Sequence, residues 1–140
     1  SAPWATLEPP SGDWEMERFA AVADPDASVS DLAEVDFVRL AGPLVFANAD
    51  TLRDRIAAVA ESDVRWVLLD FESVTDIDPT ASEALAEAIS LVHEQGKVIG
   101  ITRASAPVLT LLDLYGLSSA TGVDHLFASN REALAAYLAD

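Results

Sequence analysis

The sequence predicts an α/β domain in which a mixed sheet of about four to six strands packs with about four helices. Short apolar runs rich in β-branched and aromatic residues alternate with longer segments whose apolar residues recur at the helical period. Several of these segments end at Gly or Pro. An apolar content of 51% over 140 residues is sufficient for one hydrophobic core. These observations favour one domain of alternating strands and helices.

The strands are predicted from apolar runs that are bounded by turn residues. In chain order they occupy residues 19–23 (a candidate edge strand), 36–41, 44–46, 64–71, 97–102 and 125–127. The Gly-Pro pair at 42–43 is expected to close the second of these strands. We expect the leading strand to lie antiparallel at an edge of the sheet, and the crossovers between parallel strands to be right-handed.

The helices are predicted from apolar residues at the helical period that follow a capping side chain. They run from residue 49 to 60, from 79 to the Gly at 96, from 106 to the Gly at 116, and from 130 onward. The expected N-cap residues are Asn48, Asp78, Ser105 and Ser129. The last of these opens a capping box with Glu132.

The stretch from residue 64 to 92 organises the rest of the chain. Its apolar run at 64–71 is typical of a strand covered on both faces, and an acidic, hydroxyl-bearing loop is expected at 72–78. In the helix that follows, Ser82, Glu83, Glu87 and Glu94 are expected to face largely outward. Open α/β sheets place their sites where a strand leads into a helix, so we expect any site of this protein at residues 76–82.

The charge and composition exclude several functions. With 24 acidic against 8 basic residues the formal charge is −16, which disfavours nucleic-acid binding and electrostatic docking on anionic membranes and suits a basic partner. The absence of cysteine excludes a disulfide scaffold, a thiol nucleophile and thiolate metal sites. No apolar run is long enough for a membrane-spanning helix and no signal peptide is recognisable, so the chain as given is expected to be soluble, with no membrane insertion.

The beginning of the chain differs from the rest in being acidic and punctuated by proline. Residues 1–18 are predicted to be a linker or a vector-derived remnant, partly disordered, and residues 19–140 to form a single domain.

Two segments resemble a known family. Residues 42–50, GPLVFANAD, resemble the "PLFFAN" segment of STAS domains carried by SulP (SLC26-like) bacterial anion transporters. Residues 67–71, VLLDF, and 74–81, VTDIDPTA, resemble the family's second block, usually written D-[ST]-[ST]-[AG] before a helix. The likeness covers residues 35–138 and implies a STAS-like fold, shared with anti-sigma-factor antagonists.

The resemblance also implies a function. It indicates a non-catalytic regulatory domain at the cytoplasmic face of the bacterial plasma membrane, C-terminal to the membrane part of a transporter for sulfate, bicarbonate or a related anion. The implied partners are the transport domain of the same polypeptide, a second copy in a homodimer, and a regulatory protein or kinase. No catalytic residue, metal or cofactor is expected, although the family permits a bound nucleotide.

The candidate regulatory residues are Thr80, Asp78, Ser82 and Asp76. In the antagonists a serine of the second block is phosphorylated, and the matching residue here is Thr80, with Asp78 as the leading acid. Pro79 replaces the first hydroxyl residue of the block, and Ala81 stands where glycine is usual. A phosphate is tolerated in the first turn of a helix. The purely structural alternative is that Asp78 is an N-cap and Pro79 fills the first helical position.

Other interpretations stay open on the sequence alone. Asp70, Asp76 and Asp78 are also compatible with a Mg²⁺ pocket beside a phosphoacceptor aspartate. Such a site needs a lysine after a strand, whereas Lys97 lies at the start of its predicted strand. Tyr115 and Leu117 are candidates for an interaction surface, or alternatively for closing the core. The alternative functions are a free-standing anti-sigma-factor antagonist switched near Thr80 and a nucleotide-binding or weakly hydrolytic module.

Overall fold

The computed structural model describes residues 34–45 and 49–140. In this part of the chain four strands form one sheet in the order β1-β2-β3-β4, and all neighbouring strands are parallel. The strands are β1 (Val35–Leu44), β2 (Trp66–Ile77), β3 (Val98–Thr102) and β4 (Leu126–Phe127). The helices are α1 (Ala49–Ala60), α2 (Pro79–Glu94), α3 (Ala106–Leu114), α4 (Leu117–Thr121) and α5 (Asn130–Ala139), with a 3₁₀ turn at Val123–His125. The predicted α/β class is confirmed.

Helices cover both faces of the sheet, but unequally. Along β2 the alternation of side chains sends Val67 and Leu69 into the larger core cluster, which also contains the buried sides of α1, α2 and α3. Trp66 and Leu68 point the other way, into a smaller cluster formed with α5. Because β2 is buried on both faces, its sequence is a nearly continuous apolar run rather than an alternating one.

The predicted loop at 72–78 is wrong, since β2 continues to Ile77. Strand β2 contributes one extra residue to its pairing with β1 at two places, between Asp70 and Ser73 and again between Val74 and Ile77. Each extra residue is a β-bulge, which breaks the two-residue alternation. The buried residues of this half of the strand, Phe71, Val74 and Ile77, are therefore three apart, and the segment does not resemble a strand in sequence.

The predicted break at Gly42-Pro43 is also wrong, because β1 runs through this pair to Leu44. Gly42 has a φ of 81°, in the left-handed region that glycine adopts readily, and it lies beside a shift of register. Pro43 cannot donate a ladder hydrogen bond, and β1 is an edge strand of the sheet in the described part of the chain. The short strand predicted at 44–46 is thus the end of β1 as far as it is described.

Some predictions concern residues outside the described ranges. These are the linker at 1–18 with its boundary at residue 19, the leading antiparallel strand at 19–23, and the cap Asn48 with the FAN segment at 46–48.

The other expected caps occupy N-cap positions. Ala81 N–H donates to Asp78 Oδ1 at 2.8 Å, and Ser105 and Ser129 accept corresponding bonds at the starts of α3 and α5. At the start of α5 the carboxylate of Glu132 accepts a hydrogen bond from Ala128 N–H at 3.1 Å. In a capping box it would accept from the N–H of the N-cap residue, Ser129, which is one residue later. The sequence did not predict α4, which starts directly after Gly116. No helix in the described ranges is long and apolar enough to cross a membrane.

Candidate functional site

The junction between β2 and α2 consists of a single residue, Asp78. Its backbone N–H donates to Leu44 O at 3.0 Å, which ties the junction to the end of β1. Its carboxylate caps the first turn of α2, and Pro79 occupies a position where a missing N–H costs nothing. The βα corner expected from the sequence is therefore present, but it is a tight, internally bonded turn.

The structure distributes the candidate residues of this corner differently from the prediction. Thr80 is exposed in the first turn of α2. Asp76 is exposed, and its Oδ1 accepts from Ile77 N–H at 2.9 Å. Ser82 was expected to face outward, which is wrong: its side chain is buried and its Oγ donates to Pro79 O at 2.7 Å. Thr80 is thus the hydroxyl of this corner that a partner or a modifying enzyme can reach.

The three aspartates do not form one site. Asp78 caps α2, and Asp76 accepts a hydrogen bond from the N–H of the next residue. Asp70 is buried and precedes both bulges along β2. Within the described ranges no group of three or more His, Asp or Glu side chains is arranged to hold a metal ion. The arrangement does not bring the carboxylates together in the way that a hard-cation site requires.

Asp70 instead belongs to a buried polar network that was not predicted from the sequence. Arg103 holds both carboxylate oxygens, with Nη2 2.6 Å from Oδ2 and Nε 3.2 Å from Oδ1. Glu72 N–H donates to Oδ1 at 3.0 Å, and Asn130 Nδ2 donates to Oδ2 at 3.2 Å. Thr102 Oγ1 in turn donates to Asn130 Oδ1. The network joins β2, β3 and the start of α5 at the carboxyl edge of the sheet.

The electrostatics of this network follow from its geometry. Burial raises the pKa of Asp70, but the hydrogen bonds from Arg103, Glu72 N–H and Asn130 outweigh it, so the pKa lies below its usual value. The same bonds to Asp70 raise the pKa of Arg103, which also pairs with Glu72. Arg103 has a φ of 60°, an uncommon backbone conformation for a residue other than glycine. The sequence signal for this network is Asp70 itself, a charged residue inside an apolar run, because a buried carboxylate requires hydrogen-bonding partners.

The two predicted surface residues are not equally accessible. Leu117 is buried in the larger core cluster, which agrees with the alternative that it closes the core. Tyr115 is half-buried and packs against the same cluster. The exposed apolar residue of this segment is Leu114, which is 74% exposed.

In the part of the chain that the structure describes, a parallel four-stranded sheet carries helices on both faces, and the N-terminus of α2 directly follows the long strand β2. The profile of the STAS domain matches residues 27–133, and the chain belongs to the STAS domain family. The family membership expected from the sequence is confirmed.

The proteins to which the chain is similar include the following three. It is 31% identical over 102 residues to a probable sulfate transporter of Mycobacterium tuberculosis strain H37Rv; the match covers 71% of this chain and 18% of the transporter. A sulfate transporter family protein from Wolinella succinogenes has a TM-score of 0.68 and 26% identity, covering 81% of this chain and 94% of that one. An anti-sigma factor antagonist from Mycobacterium paratuberculosis has a TM-score of 0.68 and 20% identity, covering 100% and 99%.

Proposed function

We propose that this domain is a non-catalytic regulatory and interaction module of a SulP-type anion transporter, situated at the cytoplasmic face of the membrane. The observation that carries the proposal is the state of the βα corner. Its polar groups at Asp76, Asp78 and Ser82 are engaged in hydrogen bonds with the backbone, and its exposed hydroxyl is that of Thr80. Such a corner suits docking or modification better than chemistry.

The similarity to transporters supports the same function. The chain spans 18% of the length of the mycobacterial sulfate transporter that it matches, as expected for one domain of a larger protein. Its partners would be the transport domain of the same polypeptide and a second copy of the domain. The formal charge of −16 favours basic surfaces on whatever the domain contacts.

Phosphorylation of Thr80 would act by adding negative charge to a corner that is already acidic. A phosphate adds a charge of about −1.5 to −2, and here it would lie in the first turn of α2, where Asp78 already caps one backbone N–H. Asp76 adds another negative charge two residues before the junction. Phosphorylation would therefore make an already acidic corner more negative and change the surface that a partner contacts.

The test measures anion uptake by the intact transporter at matched abundance, with Thr80→Glu compared with Ser90→Glu. Ser90 is exposed on the same helix but lies well beyond its first turn, so the control adds the same charge away from the corner. We expect Thr80→Glu to change the uptake rate and Ser90→Glu to leave it unchanged. Equal rates for both variants and the unaltered protein would refute regulation at this corner. A reading frame without membrane-spanning segments upstream would refute the transporter assignment itself.

A second candidate, an anti-sigma-factor antagonist, is favoured by the exposure of Thr80 at the helix start, where the antagonists carry their phosphorylated serine. Incubation with an anti-sigma kinase encoded in the same genome tests it, with Thr80→Ala and Ser90→Ala as the paired variants. Phosphate incorporation that Thr80→Ala abolishes and Ser90→Ala retains would support the antagonist. Absence of incorporation into the unaltered protein would count against it.

A further inference from the structure

An apolar cavity of about 320 Å³ lies at the carboxyl ends of β3 and β4, away from the corner described above. It is lined by Ile101, Ala104, Leu109, Leu126, Phe127 and Ala128. Leu109 is 38% exposed and lies at the start of α3, so the cavity can be reached from solvent. Its volume is at the lower end of the range for small binding pockets, which matches one large side chain better than an extended ligand.

The surroundings of the cavity are acidic. Asp113 lies one helical turn after Leu109 on α3, and helical residues four apart share a face. The carboxylate of Glu132 accepts a hydrogen bond from Ala128 N–H, which places it beside the lining. Residues 104–130 contain no Lys or Arg, and the guanidinium of Arg103 is already paired with Asp70 and Glu72. Arg131, exposed next to Glu132, is the next Lys or Arg along the chain, against the carboxylates of Asp113, Asp124 and Glu132.

We propose that this cavity binds a large apolar side chain of a partner protein segment in which Lys or Arg residues flank that side chain. The apolar lining supplies the anchor, as in protein interfaces where a few buried side chains carry most of the affinity. Asp113 and Glu132 select a basic segment over an acidic one. This surface is separate from the Thr80 corner, and the inference stands whether or not the domain belongs to a transporter.

Two blocked peptides provide the test: Lys-Lys-Leu-Phe-Lys-Lys and Glu-Glu-Leu-Phe-Glu-Glu. They are titrated separately into the full chain with labelled methyl groups, and NMR shifts of Ile101, Leu109 and Leu126 are followed. We expect saturable shifts at these methyls with the basic peptide and binding roughly tenfold weaker with the acidic one, since each exposed charge pair contributes up to about 1 kcal/mol. Equal binding of both peptides, no saturable shift, or shifts confined to other residues would overturn the proposal.

Variants distinguish binding in the cavity from nonspecific binding to the exposed surface of α3. Leu109→Asp is expected to abolish the shifts, whereas Leu114→Asp, which changes an exposed leucine of the same helix outside the lining, is expected to retain them. Ala104→Phe fills the cavity from within and should block binding without adding charge. Binding that survives both Leu109→Asp and Ala104→Phe would refute the site. Self-association in light scattering that Leu109→Asp removes would assign the cavity to a second copy and overturn the basic-partner proposal.

Discussion

Replacing Arg103 with methionine should destabilise the domain by about 2–3 kcal/mol at neutral pH. The substitution keeps an unbranched apolar stem, but it removes the two hydrogen bonds that Arg103 donates to Asp70. The Asp70 side chain is only 3% exposed, so water can replace the guanidinium only in part. What the substitution leaves behind is a buried carboxylate that has lost its main counter-charge.

The magnitude follows from what remains around that carboxylate. Removing one partner of a fully buried ion pair costs about 3–5 kcal/mol. Asp70 keeps the bonds from Glu72 N–H and Asn130, and the Arg103 side chain is 29% exposed, so the loss should lie below that range. Arg39 approaches Asp70 Oδ2 only to 3.8 Å and is 47% exposed; Arg39→Met is therefore the matched control and should cost about 0.5 kcal/mol or less.

Urea unfolding of the three proteins, followed by circular dichroism at pH 7 and pH 3, measures these differences. The pKa of Asp70 is lower in the folded than in the unfolded state, so its stabilising contribution is present above the unfolded value of about 3.9 and is lost as the pH falls through the folded value. The penalty for Arg103→Met should therefore be smaller at pH 3 than at pH 7. An Arg103→Met penalty below about 0.5 kcal/mol, or one equal to that of Arg39→Met, would refute the assignment of Arg103 as the main partner.

Two further predictions concern helix capping and sheet packing. Asp78→Ala removes the cap bond to Ala81 N–H and should cost about 1 kcal/mol in urea unfolding, while Asp78→Asn should retain most of the stability; equal losses would show that the charge rather than the acceptor matters. Gly100→Ala should cost about 1–3 kcal/mol, because its Cβ would lie 2.8 Å from Leu68 Cδ2 and 3.1 Å from the backbone oxygen of His125. An unchanged unfolding midpoint for Gly100→Ala would show that β3 and β4 can separate at little cost.

The sequence alone determined the features that depend on neighbours along the chain. Asp78, Ser105 and Ser129 precede apolar residues at the helical period, and each is found at a helix N-cap. Both the cap and the periodicity act within a few residues of one another, so they are readable without knowing the fold. The family motif, which placed the corner after the long strand, is local in the same sense.

Only the tertiary structure decided the features that depend on contacts between distant segments. The extension of β2 through residues 72–77 requires the bulged pairing with β1, and nothing in that acidic stretch specifies the partner strand. Asp70 is joined by Arg103 and Asn130, 33 and 60 residues further along, because parallel pairing sets Asp70 beside Thr102 at the end of β3, close to the start of α5. Side chains that satisfy a buried charge are chosen by spatial adjacency, which the order of residues along the chain does not reveal.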